Sequence, residues 1–198
     1  MKIDHPFEIV PSGSRNAALV LFLALALICL LVFFFVLDPP LRTALSPLGI
    51  VSFELAWTVE TASAIMGAWD YPTSLYAAFG LGFDFLFMLS YACAVGLGTL
   101  WAARRMGARL SDLGKWLGWG VLLAALLDAL ENIFLFTIMT RGNYPPFALL
   151  ASIVASLKFL LLFCGICYAL MGLFVRQRPR SQRRGKSKEF YPTSIDEK

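Results

Sequence analysis

The chain has 198 residues, of which 59% are hydrophobic and only 15% charged, with a net charge of +4 and a mean hydropathy of +0.71. A soluble globular chain is nearer roughly 45–50% apolar and about 25% charged, so the composition excludes that class and places the chain among membrane proteins. The positive excess sits largely in the tail from residue 176 onward and is no argument for a nucleic-acid partner.

Four apolar runs, 17–37, 76–103, 117–139 and 147–174, are long enough to cross about 30 Å of hydrocarbon at about 1.5 Å per residue. The fold class expected is all-α: a polytopic four-transmembrane-helix bundle, with one further amphipathic helix in the interface. The first run is longer than the roughly 7–15 residues of a signal-peptide core. It ends in Asp38-Pro39-Pro40 without a clear cleavage site, and is read as a retained helix. The connection after it carries Leu55, Val59, Ala62, Met66 and Trp69 at helical spacing, which predicts one interfacial helix over 52–69. Glu60 and Ser63 lie off that stripe, and Trp57 and Trp69 suit an aromatic belt. Ser52 is the expected N-cap, which gives Glu54 a place in the first turn as a complement to the helix dipole. The second run holds Gly80, Gly82, Ala92, Gly96 and Gly98, small residues that permit close helix contact.

Lys and Arg mark the cytoplasmic side of a membrane protein. Arg104, Arg105, Arg109 and Lys115 lie between the second and third runs, and Arg176, Arg178, Arg180, Arg183, Arg184, Lys186 and Lys188 in the tail. The other two connections carry only Arg42 and Arg141. Both termini are therefore expected in the cytoplasm, with residues 1–16 as an N-terminal segment, 17–175 as the membrane domain and 176–198 as a basic tail. That tail would attract anionic lipid at about 1 kcal/mol per charge, although an orientation lock accounts for it more simply.

Cys29, Cys93, Cys164 and Cys167 all fall inside expected spans, so no disulfide framework is implied. Cys164 and Cys167 form a CxxC in mid-helix, away from the helix N-terminus that would lower a thiol pKa. His5 is the only histidine, too few ligands for a zinc site. No metal centre, haem, nucleotide or other cofactor is expected.

The third run carries Asp128, Glu131 and Asn132. An acid near a helix centre costs about 2.5–3.5 kcal/mol on an insertion scale, so this helix must turn its acids toward partners or water. The three are spaced i, i+3 and i+4 and share one face. Asp84 with Tyr91 seven residues on, and Lys158 in the fourth run, fall at similar depth. Glu54 on the interfacial helix can roof the same band. Three spanning acids against one lysine leave an excess of negative charge. Either some carboxyls stay protonated or a cation sits among them. The alternative is structural: Asp128 and Lys158 as an ion pair, with Asn132 bonding between helices. A Schiff-base role for Lys158 is disfavoured because four spans are few to enclose a chromophore.

The patterns Pro47-Leu48-Gly49-Ile50-Val51-x-x-Glu54, Asp84-Phe85-Leu86-Phe87 with Tyr91, Asp128-Ala129-x-Glu131-Asn132 and Lys158-Phe159 resemble those of an uncharacterised family of small bacterial four-span inner-membrane proteins. The resemblance implies a bacterial inner membrane and carries no activity. In architecture the chain is also similar to the EXPERA group, which includes a sterol isomerase and the sigma-2 receptor. That likeness implies intramembrane acids that hold a ligand cation or move a proton, with Asp84 and Glu54 as the corresponding acids. The histidine of the EXPERA enzyme has no counterpart in the spans.

Three functions are open at this stage. The first is an outward-facing acidic pocket that binds a small cation, an amine or a lipid. The second is a membrane enzyme acting on a lipid or isoprenoid, with Asp128 and Glu131 as acid and base and Lys158 as anion stabiliser. The third is an accessory subunit of a membrane complex. The expected partners are membrane lipids, the pocket ligand and a second copy of the chain in a homodimer.

Overall fold

A computed structural model describes residues 4–142 and 146–175; the basic tail lies outside the described residues. Helix α1, Arg15–Val32, runs on through five π-helical residues, Phe33–Leu37, where Asp38 N donates to Phe33 O at 2.9 Å. Pro39 and Pro40 then remove two donors and end it. The short helices α2, Ile50–Glu54, and α3, Val59–Gly67, follow. Three long helices complete the fold: α4, Tyr71–Ala103, α5, Ala108–Arg141, and α6, Phe147–Phe174. Asp70 starts α4 by accepting from Thr73 N at 2.9 Å, with Pro72 in the first turn. No strand forms among the described residues. Helix α1 with its extension, α4, α5 and α6 are long and apolar enough to cross a membrane, and the chain is a polytopic α-helical membrane protein. α5 begins nine residues before the apolar run, because hydropathy detects the hydrocarbon-embedded part of a helix and not its polar ends. Its first turns carry Arg109 and the exposed Lys115–Asp112 pair.

α4 is the hub: it packs against α1, α5 and α6, and α5 also packs along α6. Small residues set these distances. A Cβ at Gly172 would overlap Ala102, and one at Gly98 would lie 3.2 Å from the Ala169 Cβ. The lipid hydrocarbon offers no hydrophobic drive for helix association, so close van der Waals contact of this kind supplies it. α1 stands at the edge of the bundle, with most of its large side chains exposed on the apolar surface.

The single interfacial helix expected over 52–69 is two helices broken at Leu55–Thr58. Trp57 takes φ +60° there, a left-handed conformation uncommon for a bulky residue. Ser152 of α6 splices the break: its hydroxyl donates to Glu54 O at 2.8 Å and accepts from Trp57 N at 2.9 Å. The kink turns Phe53, Ala56, Ile65 and Trp69 into the bundle, while Leu55, Val59 and Met66 of the expected stripe are only half-buried. Ser52 is not the N-cap. Gly49 holds that position, with Asp38 Oδ1 accepting from Ile50 N at 2.9 Å. At Gly49, φ is +59° and a Cβ would overlap the Asp38 carboxylate, so both conformation and space call for glycine. Glu54 consequently closes α2 rather than opening it, and the dipole role expected for it does not apply.

At the opposite end the N-terminal segment tucks into the bundle. Pro6–Ile9 form one 3-10 turn. Phe7 sits where a Cβ at Gly96 would overlap its ring, and His5 where one at Gly118 would. His5 Nδ1 accepts from Phe7 N at 3.2 Å and Nε2 donates to Thr99 Oγ1 at 3.1 Å, the Thr99 proton being committed to Gly96 O. The neutral ring is fully satisfied. Burial, reinforced by Arg15 and Lys115, lowers the His5 pKa from 6.5 to about 4. A released segment takes up a proton near 6.5 and the docked one only near 4, so docking is complete above 6.5 and weakens as pH falls from 6.5 toward 4. Amide exchange of residues 5–10, corrected for its intrinsic pH dependence, is expected to quicken over that window. In His5→Asn the window disappears; an unchanged profile would remove His5 as its cause.

Candidate functional site

The polar side chains anticipated from the sequence converge. Asp84 of α4 and Asp128 of α5 each lie about 20 Å along their helix from the α2/α3 end, and Lys158 of α6 about 16 Å. They share one level because all three helices start or finish on the same side. Helical spacing puts Asp128, Glu131 and Asn132 on the face of α5 that meets α4 and α6, and all three are buried.

Lys158 organises the group. Its Nζ donates to Asp128 Oδ1 at 2.5 Å and lies 2.8 Å from Glu131 Oε2, with Glu54 Oε2 at 3.8 Å. The approach to Glu131 is off the hydrogen-bonding direction, which leaves both Glu131 oxygens without an aligned donor among the described residues. Tyr91 Oη donates to Asp128 Oδ2 at 2.6 Å, so both oxygens of Asp128 are engaged. Asn132 Nδ2 donates to Asp84 Oδ2 at 2.7 Å. Ser152, through its bond to the Glu54 carbonyl, fixes the end of α2 over the group. Glu54 is buried, and burial raises its pKa above the usual carboxylate range, against the pull of Lys158.

All seven residues expected at the site (Glu54, Asp84, Tyr91, Asp128, Glu131, Asn132 and Lys158) therefore belong to one cluster. They do not stand alike. A cavity of about 680 Å³ reaches six of them and not Glu131, which is 0% exposed and lies behind the wall. Asp84 is half-buried. Among the described residues no lysine or arginine lies within ion-pairing distance of it, whereas Asp128 and Glu131 share Lys158. Sequence reasoning missed Arg42 and Asp38 at the cavity mouth. Their sign was an i, i+4 acid–base pair across Pro39-Pro40. The aromatic wall was also missed: Phe33 and Phe34 of the α1 extension face Phe159 and Phe163 of α6, and helical apolar runs in a membrane chain give no sign of which phenylalanines meet.

The cavity is open on its α1/α6 side. Leu30, Phe34, Phe159, Phe163 and Ile166 line it and are also exposed on the apolar surface of the bundle. Comparison with protein-family models, curated proteins and solved structures finds no match.

Removing Lys158 leaves two buried carboxylates without a cation, a change that typically costs about 3–5 kcal/mol. Lys158→Met is expected to lower the thermal unfolding temperature in detergent micelles markedly. Adding Asp128→Asn should recover part of the loss, because the two sites are coupled. Additive losses would show that the bridge carries no net stabilisation.

Proposed function

We propose that the protein binds a membrane-partitioned cationic ligand, an amine or an amine-bearing lipid, in its intramembrane acidic cavity. The observation that carries this reading is Asp84: an acid on the cavity wall whose described partner is a neutral amide. Four acids surround one lysine. With every group ionised the cluster would hold three uncompensated negative charges, a heavy cost in a low-dielectric interior. A ligand ammonium at Asp84 offsets one of them, and the aromatic wall offers ring faces to the same cation. The apolar body of the ligand would lie between α1 and α6.

The enzyme reading, with Asp128 and Glu131 as an acid–base pair, is less well supported. Asp128 is held at both oxygens, and Glu131 lies off the cavity wall. The setting we infer is a bacterial inner membrane with both termini cytoplasmic. Arg104, Arg105, Arg109 and Lys115 around the α4–α5 turn support that orientation, which makes the cavity mouth face outward.

In lipid nanodiscs, dodecylamine is expected to raise the unfolding temperature of the wild-type protein by mass action, and the neutral dodecanol is not. Asp84→Asn should reduce the apparent dodecylamine affinity about tenfold or more, as loss of a charge-assisted hydrogen bond does, while the protein still inserts. An equal response from Asp84→Asn would return Asp84 to a purely structural role.

A further inference from the structure

Three buried carboxylate oxygens have no hydrogen-bond partner among the described residues: Glu54 Oε2 and both oxygens of Glu131. Glu131 is 0% exposed and Glu54 8%. Glu54 borders the cavity, but its Oε2 is buried, 3.8 Å from Lys158 Nζ, and its carboxyl comes within hydrogen-bonding reach of the Glu131 carboxyl. Glu131 Oε2 lies 2.8 Å from the same ammonium. The two acids thus face each other beside one cation whose aligned bond is to Asp128. The neighbouring side-chain donors are directed elsewhere. Tyr91 Oη donates to Asp128, Asn132 Nδ2 to Asp84 and Ser152 Oγ to the Glu54 carbonyl. An ionised carboxylate has no proton to give. Two of them in contact repel, and their unmet lone pairs are costly in a buried site.

We propose that Glu54 and Glu131 form a proton-binding site and hold one proton between them as a carboxyl–carboxylate pair. One O–H···O bond turns the repulsion into attraction and meets an oxygen on each acid. Two carboxyls that share a site in this way do not ionise together, and the proton belongs to the pair rather than to either residue. Lys158 stays beside the pair as counter-ion to its one remaining charge and to Asp128. The other ionisable groups around the pair are Asp84 and Tyr91 of α4 and Asp128 of α5, with Asp38 and Arg42 farther out at the cavity mouth. Their excess is acidic, which favours the proton, and burial of Glu54 acts in the same direction. The proton removes one of the uncompensated charges without occupying the cavity, so the site stands whether or not the cavity binds an amine.

Infrared spectroscopy of the full chain in lipid nanodiscs tests this, with Asp84→Asn as the reference protein so that Asp84 supplies no signal. At about pH 7 an ordinary glutamate, with a pKa of about 4.3, is ionised. The reference protein is nevertheless expected to show the C=O stretch of a protonated carboxyl, identified by its shift in heavy water. Adding Glu54→Gln or Glu131→Gln should abolish that band, because the amide N–H becomes the donor and no proton is then needed. A reference spectrum without the band would overturn the proposal, as would a band that survives in either Gln variant. Thermal unfolding gives a second readout. The unfolded chain holds a glutamate proton only below its usual pKa of 4.5, whereas the bundle holds it to higher pH. The stabilisation is therefore full below 4.5 and lost as pH rises through the pKa of the pair. The unfolding temperature of the reference protein should fall over the pH range in which the band fades, and both Gln variants should lack that fall. A fall of the same size in both variants would overturn the pair as its source.

Discussion

A lysine ammonium held between two carboxylates inside an apolar bundle is the constraint on which the rest of this structure depends. Neither sign of charge is tolerable alone at that depth, so Lys158 ties α6 to α5 through Asp128 and Glu131, and Tyr91 ties α4 to the same carboxylate. One cation thereby sets the register of three helices. Packing of glycine and alanine brings the helices close, but it would tolerate sliding by a turn. The ionic bridge does not, because a slide of about 5.4 Å would leave each charge without its partner.

Saturation of Asp128 has a second effect. It separates the acids into those that hold the bundle together and those that face the cavity. Glu131 and Asp128 belong to the first set, although Asp128 also lines the cavity, while Asp84 and Glu54 belong to the second. The same polar cluster therefore works as a structural rivet at its back and as an electrostatically unbalanced surface at its front. The balance is tilted further by α1, which leans on α4 and leaves the cavity open beside α6. The opening lies among side chains exposed on the apolar surface of the bundle.

Much of this was legible in the sequence because membrane insertion makes polar residues conspicuous. Asp128, Glu131 and Asn132 share a face by spacing alone, and Asp84 and Lys158 match them in depth by counting along their runs. The apolar runs likewise mark four helices. The α2–α3 region was less legible. Its stripe fits a single helix, and the break at Trp57 is a tertiary effect: Ser152, 95 residues away in sequence, takes the two backbone groups that the break sets free. Glu54 was expected to roof the polar band from the edge of the interfacial helix, but the helix-dipole role weighed against that put it at a helix start, whereas it ends α2 at the break. The α1/α6 opening and the aromatic wall depend on how the helices pack, which periodicity does not encode.

The seat of the N-terminal segment carries a consequence for biogenesis. His5 and Phe7 are synthesised before the spans, yet the glycines that receive them are Gly96 on α4 and Gly118 on α5. The pocket for this segment exists only after α1, α4 and α5 have been synthesised and brought together. Synthesis and assembly therefore run in opposite order at this end of the bundle, and residues made before the spans become its closing piece.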